Sequence, residues 1–241
     1  AWVKVPNLYD LTDVTLTMRY GNDCITTPDY TQNAADVWSN GYEAVYHLHD
    51  DYLNSEGTSG RDGSGTTQGH VAGQIANGVD FEGSSSDYLN IGTWSVSGDK
   101  LTMQAWVKYE SFSDLATILD KSNGTGSSDY AWNLSTDRQG GTYRARMYLP
   151  GSSLNGSSGY STGTWTLVIG KYDGSNKYIR INNGADTNSS QSGNLPVNSW
   201  QVRIGDHATG GDTPFDGVID ELRISSVART NGWLDTENNN M

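Results

Sequence analysis

The chain has a single cysteine, Cys24, so no intramolecular disulfide can form and the fold must be held by packing, with or without a metal ion. No apolar run approaches the ~20 residues that span a bilayer, which argues against membrane insertion. Basic residues are also scarce, since 15 Lys and Arg face 28 Asp and Glu and the formal net charge is −13. This charge argues against the phosphate backbone of nucleic acid or an anionic membrane as the main partner.

The apolar content is low but concentrated in large side chains. Only 34% of the 241 residues are hydrophobic, yet 8 Trp and 14 Tyr supply large buried areas, and 29 Gly serve the turns. This length suits one large all-β domain with an N-terminal extension. Low lysine content, Asn/Ser/Gly/Thr-rich turns and aromatic strands are typical of an exported protein, and we expect an extracellular or cell-surface location.

The stretch 165–226 has the pattern of short amphipathic strands joined by tight turns, with no segment of helical length. Trp165–Tyr172 runs through Asp173-Gly174 into a strand that ends at Asn183-Gly184. Two further strands follow at Trp200–Asp206 and Phe215–Ser225. Such spacing and turn chemistry predict a β-sandwich.

These residues resemble the laminin-G-like, concanavalin-A-like jelly-roll domains of secreted bacterial proteins. Members typically have a Trp-led strand ending in Tyr-Asp-Gly, a strand ending in Asn-Gly, and a late Gly-x-Ile-Asp-Glu-x-Arg-Ile strand. Leu101–Lys108 resembles the first central strand of the family, and Gly78–Gly83 followed by Asp87–Ile91 resembles its upstream hairpin. The resemblance implies an all-β, two-sheet antiparallel jelly-roll sandwich with a short N-terminal strand extension.

We therefore divide the chain into an N-terminal extension over residues 1–35 and a laminin-G-like jelly roll over residues 36–241. Within the extension, Trp2–Pro6 and Met18–Asn22 resemble the tail of a small domain family that often precedes such jelly rolls. Alternation predicts two short strands within Trp2–Tyr20, and Pro28–Ser39 is the best helix candidate. Residues 50–77 are predicted to form a long polar turn-rich segment.

Alternation of side chains along a strand predicts which residues face outward. In Leu101–Lys108 the core face is Leu101, Met103, Ala105 and Val107, and in the strand 143–149 it is Tyr143, Ala145, Met147 and Leu149. The same alternation, applied to the strand 215–225, predicts that Ile219, Glu221 and Arg223 face outward. The predicted outward set forms one sheet face and supplies the candidate ligand-binding residues Gln104, Trp106, Arg144, Arg146, Tyr148 and Arg203.

The chemistry of this set suits a polysaccharide or glycoconjugate. Aromatic rings stack on the C–H faces of sugars, and arginine makes bidentate contacts to uronate or sulfate groups. The loop aromatics Trp94, Tyr130, Trp132 and Tyr160 have the same capacity. The alternative is that Trp106 lies beneath a covering segment and that the arginines pair with Glu221 or with backbone.

The resemblance also implies a structural calcium ion, with Asp220 of the Ile-Asp-Glu motif as a ligand. Calcium needs six to eight oxygen ligands, and the acidic loop offers Asp50, Asp51 and Asp62 as the other carboxylates best placed in sequence. The alternative is that Asp50 and Asp51 cap a loop while Asp220 accepts hydrogen bonds from backbone amides.

Catalysis has weaker support, and the sequence favours binding alone. Glycosidases need two carboxylates across a cleft, but the chain lacks the Glu-x-Asp-x-Glu run of hydrolases with this fold. The nearest pairs are Asp80 with Glu82, and Asp220 with Glu221, whose side chains are expected on opposite faces. A lyase arrangement could be drawn from Gln104, Arg144, Tyr148 and His207.

The sequence therefore favours a non-catalytic carbohydrate-binding or adhesion module of an exported protein. The alternative is a structural subunit of a surface layer or filament, in which the N-terminal strands self-associate with a neighbouring copy by β-augmentation. A polysaccharide lyase or glycoside hydrolase is the third hypothesis.

Overall fold

The computed structural model describes residues 37–67, 69–210 and 213–241. The first strands along the chain are β1 (Tyr42–Tyr46), β2 (Ser64–Thr66), β3 (Gly69–Ala72), β4 (Asn77–Phe81), β5 (Tyr88–Asn90), β6 (Leu101–Tyr109), β7 (Thr117–Ser122) and β8 (Tyr130–Gln139). The next are β9 (Thr142–Leu149), β10 (Ser152–Gly159), β11 (Thr166–Tyr172), β12 (Asn176–Ile181), β13 (Thr187–Ser190), β14 (Val202–Ile204) and β15 (Gly217–Ser225). A 3-10 helix at Gly83–Ser85 and the helix α1 (Asn231–Asn240) complete the described elements.

The strands form two antiparallel sheets. Sheet A has eight strands in the order β13-β12-β11-β6-β15-β4-β3, with β1 also paired to β15. Sheet B has seven strands in the order β10-β9-β8-β7-β14-β5-β2. The predicted two-sheet jelly-roll sandwich is therefore confirmed, while the extension 1–35 with its strands, and most of the predicted helix at 28–39, lie outside the described residues.

The core lies between the sheets and follows the predicted alternation in two strands. Leu101, Met103, Ala105 and Val107 of β6 are fully buried in it. In β9 the predicted inward residues Ala145, Met147 and Leu149 are also buried there. Tyr143, at the start of β9, is half-buried and stacks on Phe112 with ring centroids 4.7 Å apart.

The polar segment 50–77 is mostly turn and irregular, as predicted, and it also contains the short edge strands β2 and β3. The predicted upstream hairpin is wrong, since β4 belongs to sheet A and β5 to sheet B. The 3-10 helix at Gly83–Ser85 lies between them, so the chain crosses from one sheet to the other there.

A β-bulge in β15 changes the alternation on the central strand of sheet A. The pairing of β15 with β6 shifts register between Asp220 and Arg223, and Glu221 adopts a left-handed φ of 48°. One extra residue is thereby accommodated, so Ile219 and Leu222 both face the core. The prediction that Ile219 points outward is wrong, and so is the prediction that Asp220 and Glu221 point to opposite faces, because both lie on the outer side.

Helix α1 covers the outer side of sheet A. It begins after Thr230, whose side chain accepts a hydrogen bond from the backbone of Trp233. Leu234 packs with Trp106 and with Leu167 and Ile169 of β11 in a second apolar cluster. In the part of the chain that the structure describes, no helix is long and apolar enough to cross a membrane.

Candidate functional site

The outer side of sheet B has polar side chains in register across six strands. Antiparallel pairing places one residue from each strand in a single row. The row is Tyr148, Asn133, Asp120, Arg203, Asn90 and Ser64. Neighbouring strands are about 4.8 Å apart, so the three intervals from Tyr148 to Arg203 span about 14 Å.

Arg144 and Arg146 extend this row along β9, since residues two apart share a face. Tyr88 adds an aromatic ring on β5, two residues before Asn90. We call the surface formed by Tyr88, Arg144, Arg146, Tyr148 and Arg203 the arginine face.

The guanidinium group of an arginine lies over the ring of each tyrosine in the arginine face. The guanidinium carbon of Arg146 lies 4.8 Å from the ring centroid of Tyr148, and that of Arg203 lies 4.1 Å from Tyr88. The ring of Tyr148 also contacts Tyr130 at 4.5 Å between centroids. These cation–π contacts fix the guanidinium groups on a rigid sheet.

Two of the arginines are also held by backbone carbonyls. Arg144 donates to the carbonyls of Gly156 at 3.2 Å and Ser157 at 2.7 Å. Arg203 donates to the carbonyl of His207 at 3.2 Å and to the side chain of Gln201 at 3.3 Å. Part of the predicted alternative, that arginines pair with backbone, is therefore observed.

Between the β9 side and the β14 side of the row lies a buried polar cluster around Asp120. This carboxylate accepts hydrogen bonds from the Ser122 hydroxyl, the Asn133 amide at 3.0 Å and the backbone N–H of Ala208 at 2.8 Å. His207 Nε2 lies 3.0 Å from the Ser122 hydroxyl, and the His207 ring contacts Tyr130 edge-on. The cluster anchors the loop that follows β14 to the sheet.

The Asp120 cluster was not found from the sequence. The available signal was the pair Asp120 and Ser122, which are polar, two residues apart and in a strand. His207 and Ala208 are 85 and 88 residues away along the chain from the groups they contact, so only the fold brings them there.

The cluster does not have the geometry of a nucleophilic triad. The Ser122 hydroxyl donates to Asp120, whereas an activated serine donates to a histidine base. Asp120 lies 3.9 Å from Nε2 of His207, the nitrogen that faces the serine, while Nδ1 is 2.9 Å from the hydroxyl of Thr209. Burial raises the pKa of Asp120 despite the hydrogen bonds that it accepts.

The other predicted ligand residues lie elsewhere. Gln104 and Trp106 are in β6 of sheet A, whereas Arg144, Arg146, Tyr148 and Arg203 are in sheet B, so the prediction that the six share one face is wrong. Trp106 is 6% exposed beneath Leu234 of α1. Gln104 donates to Glu237 of α1 at 2.8 Å. The proposed lyase set, which needs Gln104 beside Arg144 and Tyr148, is not assembled.

The four aromatics predicted to lie in loops are largely engaged within the protein, and two of them are not in loops. Tyr130 and Trp132 belong to β8, where Trp132 is fully buried and Tyr130 nearly so. Trp94 contacts Trp132 and carries the guanidinium of Arg61 at 4.3 Å from its ring centroid. Tyr160 contacts the ring of Tyr109 at 5.2 Å.

The four predicted calcium ligands are not brought together. Each of the loop carboxylates accepts a hydrogen bond from a different group. The donor to Asp50 is the side-chain amide of Asn77, the donor to Asp51 is the backbone N–H of Leu53, and the donor to Asp62 is the backbone N–H of Asn54. Over residues 37–67, 69–210 and 213–241, no group of three or more His, Cys, Asp or Glu side chains is arranged to hold a metal ion. These residues do not form a calcium site as a set, and a structural calcium elsewhere stays a prediction.

Asp220 accepts hydrogen bonds from backbone amides. One carboxylate oxygen accepts from the N–H groups of Gln74 and Ile75, each at 2.8 Å. Desolvation by burial raises the pKa of Asp220 from its ordinary value of 3.8 to about 7. A raised folded-state pKa favours the protonated form, so this group contributes stability that is complete below about pH 4 and is lost as the pH rises through about 7.

Replacing Asp220 with asparagine is expected to remove this pH dependence. Between pH 4 and pH 8 the free energy of unfolding of Asp220→Asn should rise by about 2–4 kcal/mol relative to the wild type, at about 1.4 kcal/mol per pKa unit. Urea titrations across this range measure the difference, with the exposed Asp51→Asn as the matched control. Parallel pH profiles for wild type and Asp220→Asn would contradict the expectation.

Comparisons with known proteins agree with this architecture. Residues 82–234 match the profile of the concanavalin A-like lectin/glucanases superfamily. Domain 4 of AbnA, a GH43 extracellular arabinanase from Geobacillus stearothermophilus solved in complex with arabinotriose, superposes with a TM-score of 0.66 at 19% identity, covering 81% of this chain and 97% of that one. No curated protein matches the sequence.

Two further solved structures share the fold. The heptameric SAP-like pentraxin from Limulus polyphemus has a TM-score of 0.51 at 17% identity, over 63% of this chain and 75% of that chain. The binding domain of Paraclostridial Mosquitocidal Protein 1 has a TM-score of 0.61 at 12% identity, over 83% of this chain and 52% of that chain, so about half of the toxin domain is matched. At these identities the likeness shows the fold, and the match over residues 82–234 shows the family: the chain belongs to the concanavalin A-like lectin/glucanases superfamily.

Proposed function

We propose that the chain is a non-catalytic carbohydrate-binding or adhesion module of an exported protein, and that it binds its glycan on the arginine face. The observation that carries the proposal is the contrast between the two outer surfaces. Sheet B presents partly exposed guanidinium, phenol and amide groups on either side of its buried centre, whereas α1 covers the corresponding surface of sheet A.

The geometry suits recognition of an extended sugar chain. Sugar hydroxyls need planar hydrogen-bonding groups at fixed positions, and side chains on a sheet are held more precisely than side chains on loops. The half-buried Arg146 and Arg203 lie on strands three intervals apart, about 14 Å, with the buried Asp120 and Asn133 on the two strands between them. A glycan that contacts both arginines must therefore extend over more than one sugar residue.

The comparisons support both the ligand class and the location. The arabinanase domain is part of an extracellular protein and was solved with arabinotriose. The Botulinum neurotoxin type G receptor-binding domain, at a TM-score of 0.58, has the same fold in a receptor-binding role. We therefore place this module outside the cell or on its surface, with a polysaccharide or glycoconjugate as partner.

Affinity gels containing neutral or anionic polysaccharides test the proposal. At least one polymer is expected to retard the wild type, and the double substitution Tyr88→Ala with Arg203→Ala is expected to weaken that binding about 10-fold, as loss of a charge-assisted contact does. Trp233→Ala, which changes an exposed aromatic on α1, is the matched control and should bind normally. Retardation by none of the polymers would contradict the proposal.

Parallel lanes with calcium and with EDTA test the predicted calcium ion at the same time. A protein that binds calcium in its folded state gains about 2.7 kcal/mol of stability at 100 times the dissociation constant. A rise in melting temperature with calcium chloride, reversed by EDTA, would support the ion. Identical melting curves would contradict it.

A further inference from the structure

The donor groups of Arg146 are free of protein acceptors within the part of the chain that the structure describes. Its guanidinium lies over the ring of Tyr148 and makes no hydrogen bond or ion pair with the described residues. A cation–π contact occupies the flat side of the guanidinium and leaves the N–H groups at its edge. An edge of parallel N–H donors fits the two oxygens of a carboxylate or sulfate.

The charge of Arg146 is also uncompensated. Among the residues described by the structure, no carboxylate lies within 4.0 Å of Arg146 or of the nearby ammonium of Lys177. Lys177 instead donates to the carbonyl of Ser152 at 2.8 Å. Burial, and next the charge of Arg146, lower the pKa of Lys177 to about 8. Lys177 is 1% exposed and belongs to β12 of sheet A, so the charge available to a ligand on the arginine face is that of Arg146.

Two acidic groups on the strands beside Arg146 already accept hydrogen bonds. Asp120 is fully buried within the row and has three hydrogen-bond donors of its own. Asp137 is opposite Arg144 in the β8–β9 register, yet its carboxylate accepts from the amides of Gln139 at 2.9 Å and Asn155 at 2.7 Å. Neither neutralises Arg146.

The tyrosine rings of the face carry guanidinium groups where a neutral sugar would stack. The guanidinium of Arg146 lies over Tyr148, and that of Arg203 lies over Tyr88. Stacking of a sugar ring on Tyr148 or Tyr88 would displace an arginine. Recognition through the guanidinium groups avoids that cost.

We propose that the arginine face binds an acidic glycan, and that Arg146 donates hydrogen bonds to a carboxylate or sulfate group of that glycan. This inference rests on the proposed function and specifies its ligand class. The formal charge of −13 opposes non-specific binding of polyanions, so retention of an acidic polymer requires a local site of this kind.

Two pairs of polymers test the ligand class, because each pair shares one backbone and differs in charge. Polygalacturonate is compared with its methyl ester for the carboxylate, and dextran sulfate with dextran for the sulfate. We expect the wild type to bind the charged member of at least one pair about 10-fold or more tighter than the neutral member, with binding weakened by added salt. The pair that discriminates identifies the group that is recognised.

Substitution of Arg146 tests the residue. Arg146→Gln is expected to weaken binding of the charged polymer about 10- to 100-fold, and Arg146→Lys to recover part of that loss because it restores charge without the planar edge. Arg138→Gln is the matched control: Arg138 is exposed and lies 5.8 Å from the ring of Tyr143, away from the face, so its removal should change binding less than about twofold. Melting curves verify that the three variants remain folded.

The outcomes separate this inference from the proposed function. Equal binding of charged and neutral members would overturn the acidic ligand class but leave a carbohydrate-binding module. Undiminished binding of the charged polymer by Arg146→Gln would overturn the role of Arg146. Binding of no polymer would contradict the proposed function and the inference together.

Discussion

Replacing Arg223 with methionine is expected to lower the free energy of unfolding by about 3–5 kcal/mol, because it removes the cation between the buried Glu221, which keeps its contact with His47, and the part-buried Glu237. Arg223 is buried beneath α1 and donates to Glu221 and to Glu237, each at 2.8 Å. Glu237 also accepts from Tyr42 and Gln104. Methionine keeps most of the side-chain volume, so the expected loss reflects charge and hydrogen bonding more than a cavity.

Urea titration with a double-substitution cycle measures this effect. Adding Glu221→Gln to Arg223→Met neutralises one of the stranded carboxylates, so the double variant should lose less stability than the sum of the two single losses. Exposed Arg138→Met should change stability by less than about 0.5 kcal/mol. A loss below about 1 kcal/mol for Arg223→Met would show that α1 is not held to sheet A by this network.

Replacing Asp120 with alanine is expected to cost about 3 kcal/mol or more, because three buried donors lose their acceptor. The donors are the Ser122 hydroxyl, the Asn133 amide and the Ala208 backbone N–H, and each unsatisfied group costs about 1–3 kcal/mol. Because the Ala208 contact anchors the loop after β14, Arg203 should lose its bond to the carbonyl of His207 as well. Glycan binding is therefore expected to weaken together with stability.

The matched control for Asp120 is Asp137→Ala on the same sheet. Asp137 is partly exposed, so its removal should cost less than about 1 kcal/mol. Asp120→Asn, which keeps the volume and one acceptor oxygen, should fall between the two. Urea midpoints give the stabilities, and equal midpoints for Asp120→Ala and Asp137→Ala would contradict the role of the buried cluster.

Local pattern predicts several of the strands and the side-chain directions in two of them. Alternation correctly placed Met103 and Val107 inward, and it placed Arg144, Arg146 and Tyr148 together on the outer side of β9. The Asp173-Gly174 turn joins β11 to β12 as predicted, with Gly174 at φ 94°. These features depend on residues close in sequence, where turn chemistry and period are decisive.

Features that depend on distant residues or on one inserted residue were not predictable in the same way. The hydrophobic pattern of β15 does not reveal the bulge at Glu221. Strict alternation along the strand therefore predicts the wrong side for Ile219. Helix α1 is rich in Asn and contains Gly232, which are weak helix formers, and only the cap at Thr230 signals its start. Its contact with Gln104 joins residues 133 apart, so the cover over Trp106 follows from the fold alone.

The most direct measurement is backbone-amide shift mapping of the labelled 26.1 kDa protein during titration with oligogalacturonate and with sulfated dextran oligomers. If the arginine face binds acidic glycans, the largest shifts should cluster at Arg146, Tyr148, Arg203 and Tyr88, with the amides of α1 unchanged. Shifts concentrated around α1 and sheet A, or none with either ligand, would contradict the arginine face as the site of glycan recognition.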